Sequence, residues 1–226
     1  MNKSLLLFAL LYFVAFPKLS TAQDFVNSDS LLQVWSNTKK KDTTRLSSLT
    51  QAVKGYYLNT HLDSAKVLTE QMLRFAAKKK NIRYQGVAYN ILGEIEARNG
   101  DLNASIPLFN KGLRFAKKTD DILLIAGCLN NIGLVNDWLG NYSVAIDYYN
   151  RSLKVNRADS VKNAKFIAKT TFNIGNIFYE LEQYDKALTY YYKAEKIAES
   201  TPDDLTGTKE YTLADIWAST ADALMK

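Results

Sequence analysis

The sequence predicts an all-α solenoid of about four helix pairs with capping helices at its ends. Three observations predict it. A block of small and aromatic residues recurs at a spacing of 40 to 42 residues. The 226 residues include only 10 Gly and 3 Pro while 47% are hydrophobic, which suits helices joined by short turns better than a sandwich of many strands. Turn dipeptides, Gly100-Asp101 and Gly140-Asn141 among them, punctuate the blocks at the same spacing.

Residues 1–22 read as a cleaved signal peptide. Lys3 supplies the positive start, and residues 5–16 form an apolar run of 12 that Pro17 ends. Ser20 and Ala22 place small residues at positions −3 and −1 before Gln23. Twelve residues at about 1.5 Å each do not span a hydrocarbon core of about 30 Å. The mature chain is therefore expected to start at Gln23, in the periplasm or outside a Gram-negative bacterium, with no stable membrane span. A single cysteine is compatible with that oxidising setting.

Residues 23–42 form a polar lead-in. Ser28 or Asp29 can cap a short helix bearing Leu31, Leu32, Val34 and Trp35, with Trp35 as a plug on the exposed end of the array. Repeat arrays need such caps, because a terminal repeat has no neighbour over its apolar face.

The array occupies residues 43–226, with units near 43–80, 83–120, 123–160 and 165–200 and a partial unit or cap at 207–226. Ala65, Ser105, Ala145 and Ala187 form a column of small residues spaced 40, 40 and 42 apart. Twelve residues before them stand Val53, Gly93, Gly133 and Gly175, and four after them Thr69, Phe109, Tyr149 and Tyr191. Glycine inside a helix costs up to about 1 kcal/mol relative to alanine, so its recurrence implies close backbone approach. The small column is expected to face the glycines, and the aromatic column to fill the space toward the next unit. The third turn is read at Gln183-Tyr184. Asp63, Asn103 and Asp185 are expected at N-cap or first-turn positions, Asp120, Asp121, Asp203 and Asp204 as caps, and Pro107 in the tolerant first turn of its helix. The extra residues of the long period fall in loops such as 156–163. The last helix, near 209–225, carries Leu213, Ile216, Trp217, Ala221 and Leu224 as its apolar stripe.

These columns resemble the tetratricopeptide repeat family over residues 43–226, with a period longer than the standard 34. The first unit departs, having Val53 and Thr69 at the glycine and aromatic columns. The resemblance implies a right-handed superhelix whose first helices line a concave binding face. The lead-in is also similar to extracytoplasmic repeat regions of Bacteroidetes-type sensor histidine kinases and related regulators. In that group a membrane helix and an output domain follow, whereas this sequence ends at Lys226 in the first helix of a fifth unit.

Mapping the family's groove columns onto this chain selects Asn90, Glu94, Asn130, Asn131, Asp137, Asn173, Asn176 and Tyr179 as partner-binding residues. An amide both donates and accepts, so a row of asparagines can hydrogen-bond an extended peptide backbone, although the same side chains can instead satisfy neighbouring helices. The basic residues of a carboxylate clamp are scarce, with Lys54 and Lys169 in different units.

Other chemistry is thinly represented. The net charge of +6 falls by two, to +4, without Lys3 and Lys18, and the lysines gather at helix ends, as at Lys78, Lys79 and Lys80. Cations there complement the helix dipole, so nucleic-acid binding is not expected. One Cys and one His exclude an intrachain disulfide and a Cys/His zinc cluster. Cys128 reads as a buried small hydrophobe, His61 as a turn residue, and the pairs Glu94/Glu96 and Glu180/Glu182 as solvated. No phosphate loop, Gly-x-Ser-x-Gly or His-Glu-x-x-His pattern occurs. The resulting expectation is an exported, non-catalytic protein- or peptide-binding scaffold without metal or cofactor. The alternatives are a truncated sensory input module of a two-component system and, lower, a hydrolase using Glu94 and Asp137.

Overall fold

The computed structural model describes residues 22–157, 163–200 and 208–226, with side chains from residue 28 and, in the last helix, from residue 213. Apart from Ala22, the signal segment lies outside the described residues, as do loop residues 158–162 and the expected caps Asp203 and Asp204. All described regular structure is helical: α1 (Ala22–Ser36), α2 (Asp42–Ala52), α3 (Leu62–Lys78), α4 (Ile82–Arg98), α5 (Leu102–Lys117), α6 (Ile122–Trp138), α7 (Tyr142–Asn156), α8 (Ala164–Glu180), α9 (Tyr184–Glu199) and α10 (Thr208–Leu224). A π-helical turn, Val53–Tyr57, and a final α turn, Leu58–Thr60, extend α2. The chain divides into two compact units, Met1–Tyr84 and Gln85–Lys226.

In the first unit, Leu46, Leu49 and Ala52 of α2 and Ala65, Met72 and Ala76 of α3 are buried. Trp35 meets Phe75 edge-on at 5.1 Å. The Arg45 guanidinium lies 5.1 Å from the Trp35 ring and 4.6 Å from that of Phe75, and its Nε donates to the Trp35 carbonyl at 2.8 Å. A cation over two aromatic faces, anchored by a hydrogen bond, fixes the end of α1 more firmly than apolar contact alone. Val53 and Thr69 are both buried, and the Thr69 hydroxyl donates to the Ala65 carbonyl at 2.6 Å. The π turn thus begins at the position where later pairs have glycine.

The second unit pairs α4 with α5, α6 with α7 and α8 with α9, and adds α10. Its helices end through left-handed residues. Gly100 and Gly140 have φ of 86° and 75°, and Glu182 takes the equivalent place with φ 57°. The next amide reaches back five residues each time, Asp101 to Glu96, Asn141 to Asn136 and Gln183 to Phe178, satisfying the orphan carbonyls at the helix end. The third turn therefore centres on Glu182-Gln183, one residue earlier than the sequence alignment places it. The capping side chains follow expectation except at α5. Asp121 caps α6 as expected, accepting from the Leu124 amide at 3.1 Å, and Asn103 lies in the first turn of α5, whose N-cap is instead Asp101, accepting from the Ala104 amide at 2.9 Å.

The glycine columns are close-contact sites, and aromatic rings press on them more closely than the small residues, of which Ala145 brings its carbonyl oxygen to 3.3 Å from a Cβ at Gly133. A Cβ on Gly93, Gly133 or Gly175 would stand 2.7 Å or less from a ring carbon of Phe109, Tyr149 or Tyr191. The same rings join cores with the following helix. Phe109 packs with Leu129 and Ile132 of α6, Tyr149 with Ile174 and Ile177 of α8, and Tyr191 with Ile216 of α10. Each ring thus locks its own pair and the next pair together. Burying such a ring stabilises by about 1.5–3 kcal/mol.

Two further expectations need correction. Pro107 is past the first four residues of α5, so the ring removes a real intrahelical bond; it stands exposed, where water can reach the freed carbonyl. On α10 the buried positions are Leu213, Ile216 and Ala223, while Trp217 and Leu224 are exposed. Their rotation outward leaves the Trp217 indole to donate to Glu195 on α9.

Candidate functional site

The predicted residues of the second unit fall into a ladder and a cluster. The ladder ties first helices to one another. Asn131 Nδ2 on α6 donates to Asn90 Oδ1 on α4 at 3.2 Å. Thr170 Oγ1 on α8 lies 3.0 Å from Asn130 Oδ1 on α6 and 2.8 Å from its own Phe166 carbonyl, so one hydroxyl proton is shared between them. The Tyr179 hydroxyl on α8 donates to Asp222 on α10, and burial together with that carboxylate pushes the phenol pKa up. These pairs stand 41, 40 and 43 residues apart, one repeat each. Asn90, Asn130, Asn131 and Tyr179 therefore hold neighbouring helices, which for the three asparagines is the structural role the sequence left open.

Two other predicted residues are engaged locally. Asn176 Oδ1 accepts from the Tyr191 hydroxyl at 3.0 Å, turning toward the second helix of its own pair. Glu94 pairs with Arg98 on the same helix at 2.9 Å, so its charge is already answered.

Asp137 and Asn173 come together around Tyr149, where α6, α7 and α8 meet. Tyr149 is fully buried and Asn173 is 7% exposed. The Tyr149 hydroxyl and Asn173 Nδ2 are both shut off from solvent and make no hydrogen bond. The hydroxyl nonetheless interacts with Asp137 on one side and Asn173 on the other, without reaching full hydrogen-bond geometry to either. Burial, with the negative charge of Glu180 added, raises the Asp137 carboxyl from 3.8 to about 7, and the Tyr149 hydroxyl pulls it back only in part. Burial and the same two carboxylates push the Tyr142 phenol up as well. An unsatisfied donor inside a protein costs about 1–3 kcal/mol, so this cluster is expensive unless something completes it.

Sequence reading missed Tyr149, Tyr142 and Glu180 as members of this cluster. Tyr149 occupies a packing column, and its ring does pack, but its hydroxyl is enclosed. A signal existed in the repeat itself. Where the ring column holds Phe109, the groove column holds Ala97; where it holds Tyr149, the groove column holds Asp137. In the next pair the ring column again holds a tyrosine, Tyr191, but the groove column holds Tyr179, so the carboxylate marks the α6–α7 pair alone. Glu180 is exposed, as expected, yet near enough to act on Asp137.

Elsewhere, Cys128 is buried and in no disulfide. His61 is exposed in the turn before α3, beside the Tyr56 ring at 5.8 Å. A separate opening of about 470 Å³ lies among α7, α8 and α9, with Leu153, Ile167 and Ile197 as apolar walls and Arg157 and Lys193 as cations; no predicted site residue lines it. Among the described residues, no group of three or more His, Cys, Asp or Glu could hold a metal ion, and no helix is long and apolar enough to cross a membrane.

Helix pairs stacked through glycine–ring contacts and stitched one repeat apart define an all-α helical repeat protein. Residues 84–158 and residues 168–201 each match a tetratricopeptide repeat family model. No curated protein matches the chain. Among solved structures it is similar to BtubC from P. vanneervenii, at 15% identity and a TM-score of 0.66 over 90% of this chain and 86% of that one. Aspartyl phosphate phosphatase F from Bacillus subtilis gives the same identity, TM-score and coverage of this chain, over 59% of its own. The apo form of RapI is similar at 17% identity and a TM-score of 0.59, over 81% of this chain and 54% of that one. The chain thus spans little more than half the length of the last two. At these identities the likeness carries the fold alone.

Proposed function

We propose that this protein is an exported, non-catalytic scaffold that binds a protein or peptide on the face of its first helices, centred on α6 and α8. The observation that carries the reading is the Asp137–Tyr149–Asn173 cluster, with two enclosed polar groups unpartnered next to a half-buried carboxylate. A partner segment that covers Asp137 and presents a hydrogen-bond donor to its carboxyl would complete it. The tetratricopeptide matches support a binding face on these helices, and binding there involves no covalent step. Export rests on the layout of residues 1–22, and the periplasm of a Gram-negative bacterium, or its exterior, is the compartment it implies.

The test is capture followed by crosslinking. A photoreactive residue placed at Phe172 should crosslink a partner recovered with the exported protein, and one placed at exposed Asn110 on α5 should not. Asn173→Ala should abolish the crosslink from position 172. Equal crosslinking from both positions, or no effect of Asn173→Ala, rejects the site. Amino-terminal sequencing of the exported chain should begin at Gln23, and a chain still starting at Met1 in a membrane fraction rejects cleavage.

A further inference from the structure

The opening among α7, α8 and α9 is the seam between two cores. Leu153 of α7 and Ile167 of α8 belong to one, and Ile197 of α9 packs against Ala168 and Leu213 in the other. A hydrogen bond that ties the preceding pair together is missing here. In that pair the Ser152 hydroxyl donates to the Ala126 carbonyl at 2.9 Å and joins α7 to α6. The same places 42 residues on hold Ala194 and Ala168, and an alanine has no proton to give. Arg157 and Lys193 border the apolar walls, and no acidic residue lines the opening. Neither cation makes an ion pair among the described residues. The helix ends have cations of their own, because Lys154 and Lys196 occupy the last turns of α7 and α9 without lining the opening. Arg151, one repeat before Lys193, is paired with Asp147 at 3.4 Å and lies 4.6 Å from the Tyr148 ring. Lys193 has Thr189 where Arg151 has that carboxylate. The hydroxyls of the lining are already spent, Thr171 donating to the Ile167 carbonyl and Ser200 to that of Ile197, each at 2.7 Å. Two unanswered cations are thus left over an apolar cleft.

We propose that this opening binds a small anionic amphiphile, a free alkyl carboxylate whose head meets Arg157 and Lys193 and whose chain lies against Leu153, Ile167 and Ile197. Charge decides the head. A carboxylate accepts from both cations, and the planar guanidinium can meet both of its oxygens. Apolar area decides the tail, since each methylene removed from water raises affinity by up to about fourfold. Volume decides the length. At about 30 Å³ for a group the size of a water molecule, the 470 Å³ admits a chain of about ten carbons with room for its head, and not the two long chains of a phospholipid. The site is separate from the Asp137–Tyr149–Asn173 cluster and does not depend on a peptide being bound there.

Decanoate is the probe, with decanol as its uncharged counterpart and acetate as the head alone. Methyl NMR of the purified protein locates the binding. Decanoate, kept below its micelle concentration, should shift the Ile167 and Ile197 methyls and leave that of Ile95 on α4 in place. Decanol should bind about tenfold more weakly, and acetate at the same concentration should shift neither methyl. Arg157 and Lys193 are exposed, so Arg157→Gln with Lys193→Gln should keep the helicity of the parent protein. The double variant should bind decanoate about tenfold more weakly and decanol as before. Unshifted Ile167 and Ile197 methyls, equal affinity for decanol, or decanoate binding that survives both substitutions overturns the proposal. So does a response to phosphatidylglycerol vesicles with none to decanoate, which would make the cleft a contact for a lipid surface instead.

Discussion

Asn131 on α6 donates its side-chain amide to the Asn90 carbonyl oxygen on α4, 3.2 Å away and one repeat earlier in the chain. With Asn130–Thr170 and Tyr179–Asp222 it makes a polar ladder along the first helices. Asn90 is 5% exposed, so its lost partner could not readily be replaced by water. Asn131→Ala should cost about 1–2 kcal/mol, and a double-mutant cycle with Asn90→Ala should return a coupling of about 1 kcal/mol in urea unfolding. Additive effects would mean that the amides do not communicate.

Gly133→Ala sets two effects against each other. Alanine improves helix propensity by about 1 kcal/mol, but its Cβ would sit 2.7 Å from Tyr149 Cδ1. The ring is fully buried and has nowhere to retreat. Overpacking of this kind costs about 1–3 kcal/mol, so the net change should be destabilising by about 1 kcal/mol. In a Tyr149→Leu background the clash is gone and the same substitution should become neutral or favourable. A penalty that persists there would place the strain somewhere other than the ring.

Asp137 binds its proton more tightly in the folded chain than in the unfolded one, since its carboxyl moves from 3.8 to about 7. Its contribution to stability is fully present below the unfolded value and is lost as pH rises through about 7. Asp137→Asn removes that loss. The variant should gain on the parent protein progressively from pH 4 to pH 8, by about 1–2 kcal/mol once solvent screening of a half-exposed group is allowed for. Parallel thermal melts across that range check it, and a difference that does not change with pH would contradict the burial of the charge.

Lys80 closes α3 with φ of 53°, the place that glycine fills in the turns at Gly100 and Gly140. A side chain in the left-handed region costs about 1 kcal/mol. Lys80→Gly should therefore stabilise by about 0.5–1 kcal/mol despite the added freedom of the unfolded chain. A lower melting temperature would show that the lysine side chain makes a contribution exceeding the backbone strain.

Much of the architecture was legible because it repeats. Gly93, Gly133 and Gly175 are improbable inside helices unless something lies close; the repeat pattern assigned the small column to that place, and packing put the rings four residues further on there. The aligned turns were legible for the same reason, except at Glu182, where a non-glycine residue took the left-handed position and moved the turn by one. Side-chain partners were harder to read. The asparagine row sits where a groove was expected, yet Asn90, Asn130 and Asn131 spend their hydrogen bonds on adjacent helices, because helices packed one repeat apart bring those amides within reach. Asn176 instead accepts from Tyr191 on the second helix of its own pair.

The sequence by itself determined that this chain builds helix pairs on a 40- to 42-residue period, since helix patterning, turn residues and close-contact glycines are local properties repeated along the chain. Only the tertiary structure decided which polar residues remain unanswered. Whether an asparagine stitches or stays idle depends on what the neighbouring helix presents a few ångströms away, and that distance comes from packing. Asp137, Tyr149 and Asn173 lie on three different helices, and the enclosure that leaves the hydroxyl and the amide unpartnered exists only where α6, α7 and α8 close together.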